Sequence, residues 1–387
     1  MIDDWLNCDI PNHNIFTILF RGQYNANFVS LVSTDTALVN LLKNFTQQTW
    51  MINSDSEYLI ANAARELGRL KMPQYGNAIQ ATVDAGLNTI FSSLNYKTTN
   101  PIMSSTGVIG NPLPKQKIID GANNFDLSAK CGENLAHAIM TTDAYPKTSL
   151  YEVKLEDGSS FKIGSVAKGA GMINPNLATM LCFICTDAAA PYADIMEALK
   201  VNSETTFNAI SVDGDTSTND TVMVLANGNS KAYDKEAFAE VLRLVMFDMA
   251  MLMVADGEGA NKVAAFEVIN AATNEQAMIA AKALSNSLLV KTALFGEDPN
   301  FGRIASTIGA SRIDCDDEKL VISYNDVVVF NKGEICFDAN TESQAGEVLK
   351  KDKYKIICDI GLGDGKFTAY GCDLGYEYVK INADYRS

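Results

Sequence analysis

Residues 149–188 read SLYEVKLEDGSSFKIGSVAKGAGMINPNLATMLCFICTDA. Two alternating runs flank Asp157 and Gly158, and this predicts an antiparallel hairpin: successive strand side chains point to opposite faces, and an Asp-Gly pair accepts the backbone of a turn. The glycine-rich, Asn-Pro segment that follows predicts a turn, and TMLCFICTDA predicts a continuous, buried strand. Working outward, PYADIMEALKVNSETTFNAI, DKEAFAEVLRLVMFDMAMLMVADG and NEQAMIAAKALSNSLLVKTALFG have helical spacing, the second capped at Asp234 and stopping at Gly257. Upstream, 56–70 and 74–94 also have helical spacing. Toward the end, LVISYNDVVVF, YKIICDIG, KFTAYGCDL and YEYVKINAD read as strands, with turns at Asn325-Asp326 and Asp364-Gly365. Strands and helices interleave without a strict βαβ rhythm. The expected class is α/β (α+β), a layered sandwich of β-sheets flanked by helices.

The chain has 387 residues, 47% hydrophobic and 20% charged, with a formal charge of −16. Such a charge repels phosphate backbones and anionic lipid surfaces, so neither nucleic acid nor membrane is an expected partner. The apolar stretch 240–257 is interrupted by Arg243 and Asp248 and falls short of the roughly 20 residues of a membrane span. The opening MIDDWLNCDIPNHN has no basic segment followed by an apolar one, so the expected compartment is the cytoplasm. Eight cysteines in a chain of this length do not suggest a disulfide framework, and Cys182 and Cys185 read as buried strand cysteines.

The sequence contains only two histidines, His13 and His137, and the second lies in a helical segment where a structural role is expected. Serine and cysteine triads therefore lack their usual base, and histidine-based metal motifs are missing, so no metal is expected. SVDGDTSTND (211–220) concentrates carboxylates but lacks the glycine and glutamate spacing of a calcium loop, and reads as a polar turn. GLGDGKF (361–367) lacks the Lys-Ser/Thr pair of a phosphate loop and reads as a hairpin turn. A remaining nucleophile class brings its own base: a threonine whose α-amine, titrating near pH ~7.7–8.0, is freed by cleavage of the preceding bond. Thr179, after small Ala178 and between a turn and a strand, has suitable surroundings, as it does for an ordinary strand-starting threonine.

VAKGAGMINPNLATML resembles the self-cleavage segment of the ornithine acetyltransferases, the glutamate N-acetyltransferase family of arginine biosynthesis. STGVIGNPLP (105–114), AIMTTDAYPK (138–147), FNAISVDGDTSTNDTV (207–222), VADGEGANK (254–262), FGEDPNFGRI (295–304) and GCDLGYEYVKINADYRS (371–387) resemble family segments in the same order. The resemblance runs from about Ser104 to the C-terminus, while residues 1–100 diverge; Gly375 stands where a threonine is common.

The resemblance implies an acetyltransferase that cuts itself between Ala178 and Thr179, giving an α chain, 1–178, and a β chain, 179–387, with a smaller C-terminal α/β subdomain within about 265–350. It implies Thr179 as nucleophile, with the Thr106 hydroxyl and Gly107 N–H as oxyanion donors. Thr142, Lys168, Thr179, Glu258, Asn382 and Ser387 match its substrate-binding positions, with Thr141 the alternative to Thr142. Acetyl would pass from N-acetylornithine to Thr179 and then to glutamate. Acetyl-CoA is a possible further substrate, no cofactor is required, and two α with two β chains form the expected assembly. A hydrolase of the N-terminal-nucleophile amidase or aminopeptidase type, or an inactive relative, are the alternatives.

Overall fold

A computed structural model describes residues 132–175, 180–217 and 219–384, together with positions 104, 106, 107, 117, 120, 121 and 124. The helical expectations at 56–70 and 74–94 lie outside these residues.

The expected hairpin forms from β1 (Lys147–Lys154) and β2 (Ser160–Lys168), antiparallel with Leu150 opposite Gly164. Gly158 turns the chain at φ +84, where a side chain is disfavoured. Strand β3 (Leu181–Thr186) lies antiparallel to β2, and its other edge pairs in parallel with β5 (Thr221–Ala226) to complete a four-stranded sheet. Between β3 and β5 come α2 (Tyr192–Thr205) and the two-residue β4 (Ile210–Ser211); α1 (Gly132–Ala138) precedes β1. Helix α3 (Lys235–Ala255) begins where Asp234 accepts from the Ala237 N–H at 2.8 Å and ends at Asp256, one residue before Gly257. Its buried Phe238, Val241, Leu242, Val245, Met246, Met249 and Met253 recur at helical spacing and pack between the two sheets.

The second sheet has seven strands in the order β4-β11-β6-β10-β7-β8-β9, where β6 is Val263–Ala271, β7 Val321–Tyr324, β8 Val327–Asn331, β9 Glu334–Ile335, β10 Lys353–Asp359 and β11 Gly365–Cys372. Strand β6 is buried on both faces. Val263 and Ala265 face the core shared with α3, while Ala264, Phe266 and Val268 face a second core. That second core is closed by α4 (Asn274–Asn286), α5 (Leu288–Phe295), α6 (Phe301–Ala310) and α7 (Ala339–Leu349). The order sheet, helix, sheet, helix is the layered sandwich of the expected class.

Three local expectations are corrected. The helical run after 274 breaks at Ser287, whose hydroxyl accepts from the Val290 N–H and caps α5, bending the two helices by 55°. YEYVKINAD is not a strand: it forms α8 (Tyr376–Asp384), its alternating aromatic and β-branched residues overridden by tertiary contacts. Phe295 meets the Tyr376 ring edge-on at 5.5 Å, and a Cβ at Gly375 would come within 2.3 Å of Phe295, so the threonine common here has no room. Finally, GLGDG is not a hairpin turn, because β10 and β11 flank β6 rather than pair with each other. It crosses the end of β6, where the Leu362 and Gly363 N–H groups donate to the Asn270 carbonyl.

That crossing explains the glycines. A Cβ at Gly365 would lie 2.3 Å from the backbone of Thr273, which cannot move aside as a side-chain tip can. Gly365→Ala is expected to cost about 3 kcal/mol, the upper part of the overpacking range, and to lower the thermal unfolding midpoint. Among the described residues no single helix is long and apolar enough to cross a membrane.

Candidate functional site

Strand β2 ends at Lys168, and the chain then turns sharply through Gly169, at φ +151, before re-entering the sheet at β3. Lys168 is opposite Leu181 in the β2–β3 pairing, so the turn's two ends are held together by the ladder. Glycine at 169 lets the backbone pass Met180, whose Cβ would be 3.3 Å from an added methyl. At Gly171 the approach is closer: a Cβ there would lie 2.4 Å from the Glu258 carboxylate.

Glu258 follows the end of α3, and its N–H donates to the Ala170 carbonyl at 2.9 Å, tying the two loops. Its Oε2 accepts from Asn382 Nδ2 at 2.6 Å, and that amide also donates to the Tyr378 carbonyl one turn earlier in α8. Three candidate residues therefore converge on the Gly169–Gly171 turn: Lys168, Glu258 and Asn382. Lys168 is 1% exposed, with its Nζ 3.9 Å from Asp143 Oδ2. Burial pushes its ammonium below the ordinary lysine range, while Asp143 acts in the opposite sense and Glu258 is near enough to add to that.

Thr142 is half-buried and precedes Asp143, whose Oδ2 accepts the Thr141 N–H at 3.0 Å. Thr106 is buried. Gly107 is exposed, and among the described residues nothing lies within 4 Å of where its Cβ would project. Ala178, Thr179 and Ser387 lie outside the described residues. His137, expected to be structural, is exposed in the last turn of α1. Cys182 and Cys185 sit in β3, and burial pushes both thiols up, Cys185 to about 12.

Two groups of residues are missed by reading the sequence. Asp143, Lys147 and Asp256 form a buried ion network under the turn: Lys147 Nζ is 2.7 Å from Asp143 Oδ1 and 2.5 Å from Asp256 Oδ2. Asp143 also accepts the Gly169 N–H at 2.6 Å, which links the network to the turn itself. The signal was a pair of opposite charges, Asp143 and Lys147, leading into the alternating strand β1. The second group comes from 211–220, read as a polar turn. Asp213 accepts the N–H groups of Met172 and Ile173 at 2.7 and 3.1 Å, and Asp220 accepts that of Met180 at 3.0 Å. One loop thus grips the chain on both sides of residues 176–179.

The profile of the ArgJ family matches residues 75–387, starting upstream of Ser105, where the first of the ordered motifs begins. The arginine biosynthesis bifunctional protein ArgJ of Wolinella succinogenes is 58% identical over 288 residues, 74% of this chain and 73% of that protein. The glutamate N-acetyltransferase of Methanothermobacter thermautotrophicus is 42% identical over 306 residues, 76% of each chain. A crystal structure of the arginine biosynthesis bifunctional protein argJ from Bacillus halodurans is 38% identical, covers 51% of this chain and 96% of its own, and superposes with a TM-score of 0.48. The matched range contains the whole of both sheets and the turn with Lys168, Glu258 and Asn382 around it, and the chain belongs to the ArgJ family.

Proposed function

We propose that the protein is a glutamate N-acetyltransferase that cuts itself at Ala178-Thr179 and transfers acetyl from N-acetylornithine to glutamate through Thr179. The observation carrying this reading is the placement of a buried cation and a buried anion, Lys168 and Glu258, on one turn beside Met180, the residue after Thr179. An amino-acid substrate presents the complementary pair, a carboxylate for Lys168 and an ammonium for Glu258, and in a buried site each pairing is charge-assisted. The names of the two relatives above support the reaction.

In the first half-reaction the Thr179 hydroxyl attacks the acetyl carbonyl, its proton passing to the α-amine. The tetrahedral oxyanion is met by the Thr106 hydroxyl and the Gly107 N–H, and collapse releases ornithine with the proton and leaves O-acetyl-Thr179. Glutamate's amine then attacks the ester carbonyl, and N-acetylglutamate leaves as the Thr179 hydroxyl is restored. Thr142, Asn382 and Ser387 complete the substrate contacts in this reading. The α and β fragments stay together as two copies of each, in the cytoplasm, and acetyl-CoA is an additional donor to be assayed.

The test is product analysis with N-acetylornithine, with and without glutamate, on protein whose chains have been weighed under denaturing conditions. Fragments of 178 and 209 residues, together making the 387 of the whole chain, and glutamate-dependent N-acetylglutamate are the expected results. Acetate as the sole acyl product would make the protein a hydrolase, and no turnover by cut protein would make it an inactive relative. The Gly171→Ala variant checks the substrate contact separately. Its methyl displaces the Glu258 carboxylate from the position it now holds, and KM for N-acetylornithine is expected to rise about tenfold, the equivalent of roughly 1.4 kcal/mol of binding.

A further inference from the structure

The loop that grips both flanks of the cleavage segment does so with carboxylates, and nothing in the acyl-transfer scheme uses them. On the upstream side Asp213 accepts from Met172 and Ile173, and the Val212 N–H donates to the Ile173 carbonyl at 2.7 Å. On the downstream side Asp220 Oδ1 accepts from Met180 N, the nitrogen of the Thr179–Met180 peptide and so one bond from the Thr179 carbonyl carbon. Parallel pairing of β3 with β5 already fixes this end of the chain, because the Thr221 N–H donates to the Met180 carbonyl at 2.9 Å. A neutral amide or hydroxyl oxygen can accept the same N–H. Instead a carboxyl group stands there, 7% exposed, next to the buried Lys168, where desolvating a charge is costly.

We infer that Asp220 is a positioning residue for self-cleavage, holding the Met180 side of the Ala178-Thr179 junction by a charge-assisted hydrogen bond while the bond upstream is cut. This rests on the cleavage reading above. In that step the Thr179 hydroxyl oxygen bonds to the Ala178 carbonyl carbon, the carbon–nitrogen bond breaks, and the hydroxyl proton ends on the freed amine. Water then hydrolyses the ester, leaving the Ala178 carboxylate and the Thr179 hydroxyl. Asp220 takes no net proton; its part is to keep residue 180 still against β5 while residue 178 separates.

The charge of Asp220 offers a readout that a purely structural role would not move. Burial pushes its carboxyl up to about 8, with the Met180 N–H and Lys168 pulling it down and Asp213 adding to the rise. In the uncut chain the nitrogen of residue 179 is an amide and does not titrate near neutrality, so the amine that complicates the pH profile of acyl transfer is absent from the cleavage profile. Lys168 and Asp213 are the other groups facing Asp220 whose ionisation is shifted, and removing Asp220's charge separates its part in the profile from theirs.

The experiment follows cleavage of freshly translated full-length chain after a shift to buffers from about pH 6.5 to about pH 9.5. The wild-type rate is expected to rise through about pH 8 as the carboxyl ionises. Asp220→Asn, whose amide oxygen still accepts from Met180, is expected to cut at least about tenfold more slowly at high pH and with a flat profile, and Asp220→Glu to restore part of the rise. Asp220→Asn cutting at the wild-type rate, or keeping the rise, would overturn the role of Asp220 while leaving the cleavage reading intact. A flat wild-type profile would do the same without depending on how any variant folds. A wild-type chain that stays whole would overturn both.

Discussion

Thr179→Ala is expected to leave one chain of 387 residues under denaturing mass spectrometry and no detectable acetyl transfer. The residue has two consecutive uses in the proposed scheme: its hydroxyl cuts the chain, and its hydroxyl and new amine then act as nucleophile and base. Alanine supplies no hydroxyl for either step, and an uncut chain supplies no free amine, so the losses do not add but coincide. Removing a nucleophile from a unit of this kind costs on the order of 10⁴ to 10⁶ in turnover, which places the variant at the background of most assays. Thr179→Ser makes the complementary case, since it keeps the hydroxyl and is expected to cut and turn over at a reduced rate. Full activity in an uncut Thr179→Ala chain would remove Thr179 from the mechanism.

Lys147→Met is expected to produce the largest loss of stability of any single change described. Lys147 is fully buried, and its ammonium lies between Asp143 and Asp256, over the Tyr145 ring at 5.0 Å. Methionine fills the volume but leaves Asp256 without its cation and Asp143 with only the more distant Lys168. Breaking a buried pair from one side costs about 3–5 kcal/mol, a large share of the roughly 5–15 kcal/mol by which a domain is stable. The denaturant midpoint at neutral pH should fall accordingly.

The pH dependence has a definite sign. Burial alone would raise the Asp143 carboxyl, but the charges of Lys168 and Lys147 and the bonds from Lys147 and the Gly169 N–H hold it below the usual carboxylate range. With its folded value depressed, Asp143 stabilises the wild type above its unfolded pKa of ~3.9, and this is lost as pH falls through the folded value. Burial already holds the Asp256 carboxyl above the usual range, with Lys147 pulling it down. Without Lys147 both carboxyls move up, Asp143 keeping only Lys168 and the Gly169 N–H against its burial, so ionising the pair at neutral pH costs the variant more than the wild type. The gap between variant and wild type should therefore narrow as pH falls from 7 toward the carboxylate range, and a gap constant with pH would mean that lost packing, not charge, sets the cost.

Much of the fold was legible because it depends on local periodicity. The hairpin, β3 and α3 follow from alternation, an apolar run and a 3.6-residue stripe, each within about twenty residues of chain. Alternation failed at 376–384, where YEYVKINAD suits either period; the ring of Phe295 and the partners of Tyr378 and Asn382, all distant in sequence, select the helix. Ser287 is a helix-tolerated residue in an unbroken apolar pattern, and only the packing of α5 shows that it caps a new helix.

At the site, resemblance picked out Lys168, Glu258 and Asn382 one by one, and the structure assembles them on a single turn. The carboxylates that hold that turn were invisible, since an aspartate that accepts a backbone N–H forty residues away looks the same in sequence as one facing water. What the sequence determined by itself was chemical inventory and local form: too few histidines for a triad, a threonine at a turn-to-strand junction, and strands and helices whose spacing shows in the residues. The tertiary structure decided which charges share a buried space. Asp143, Lys147 and Asp256 are brought together across more than a hundred residues, and in a low-dielectric interior that proximity, not residue type, sets what each group does.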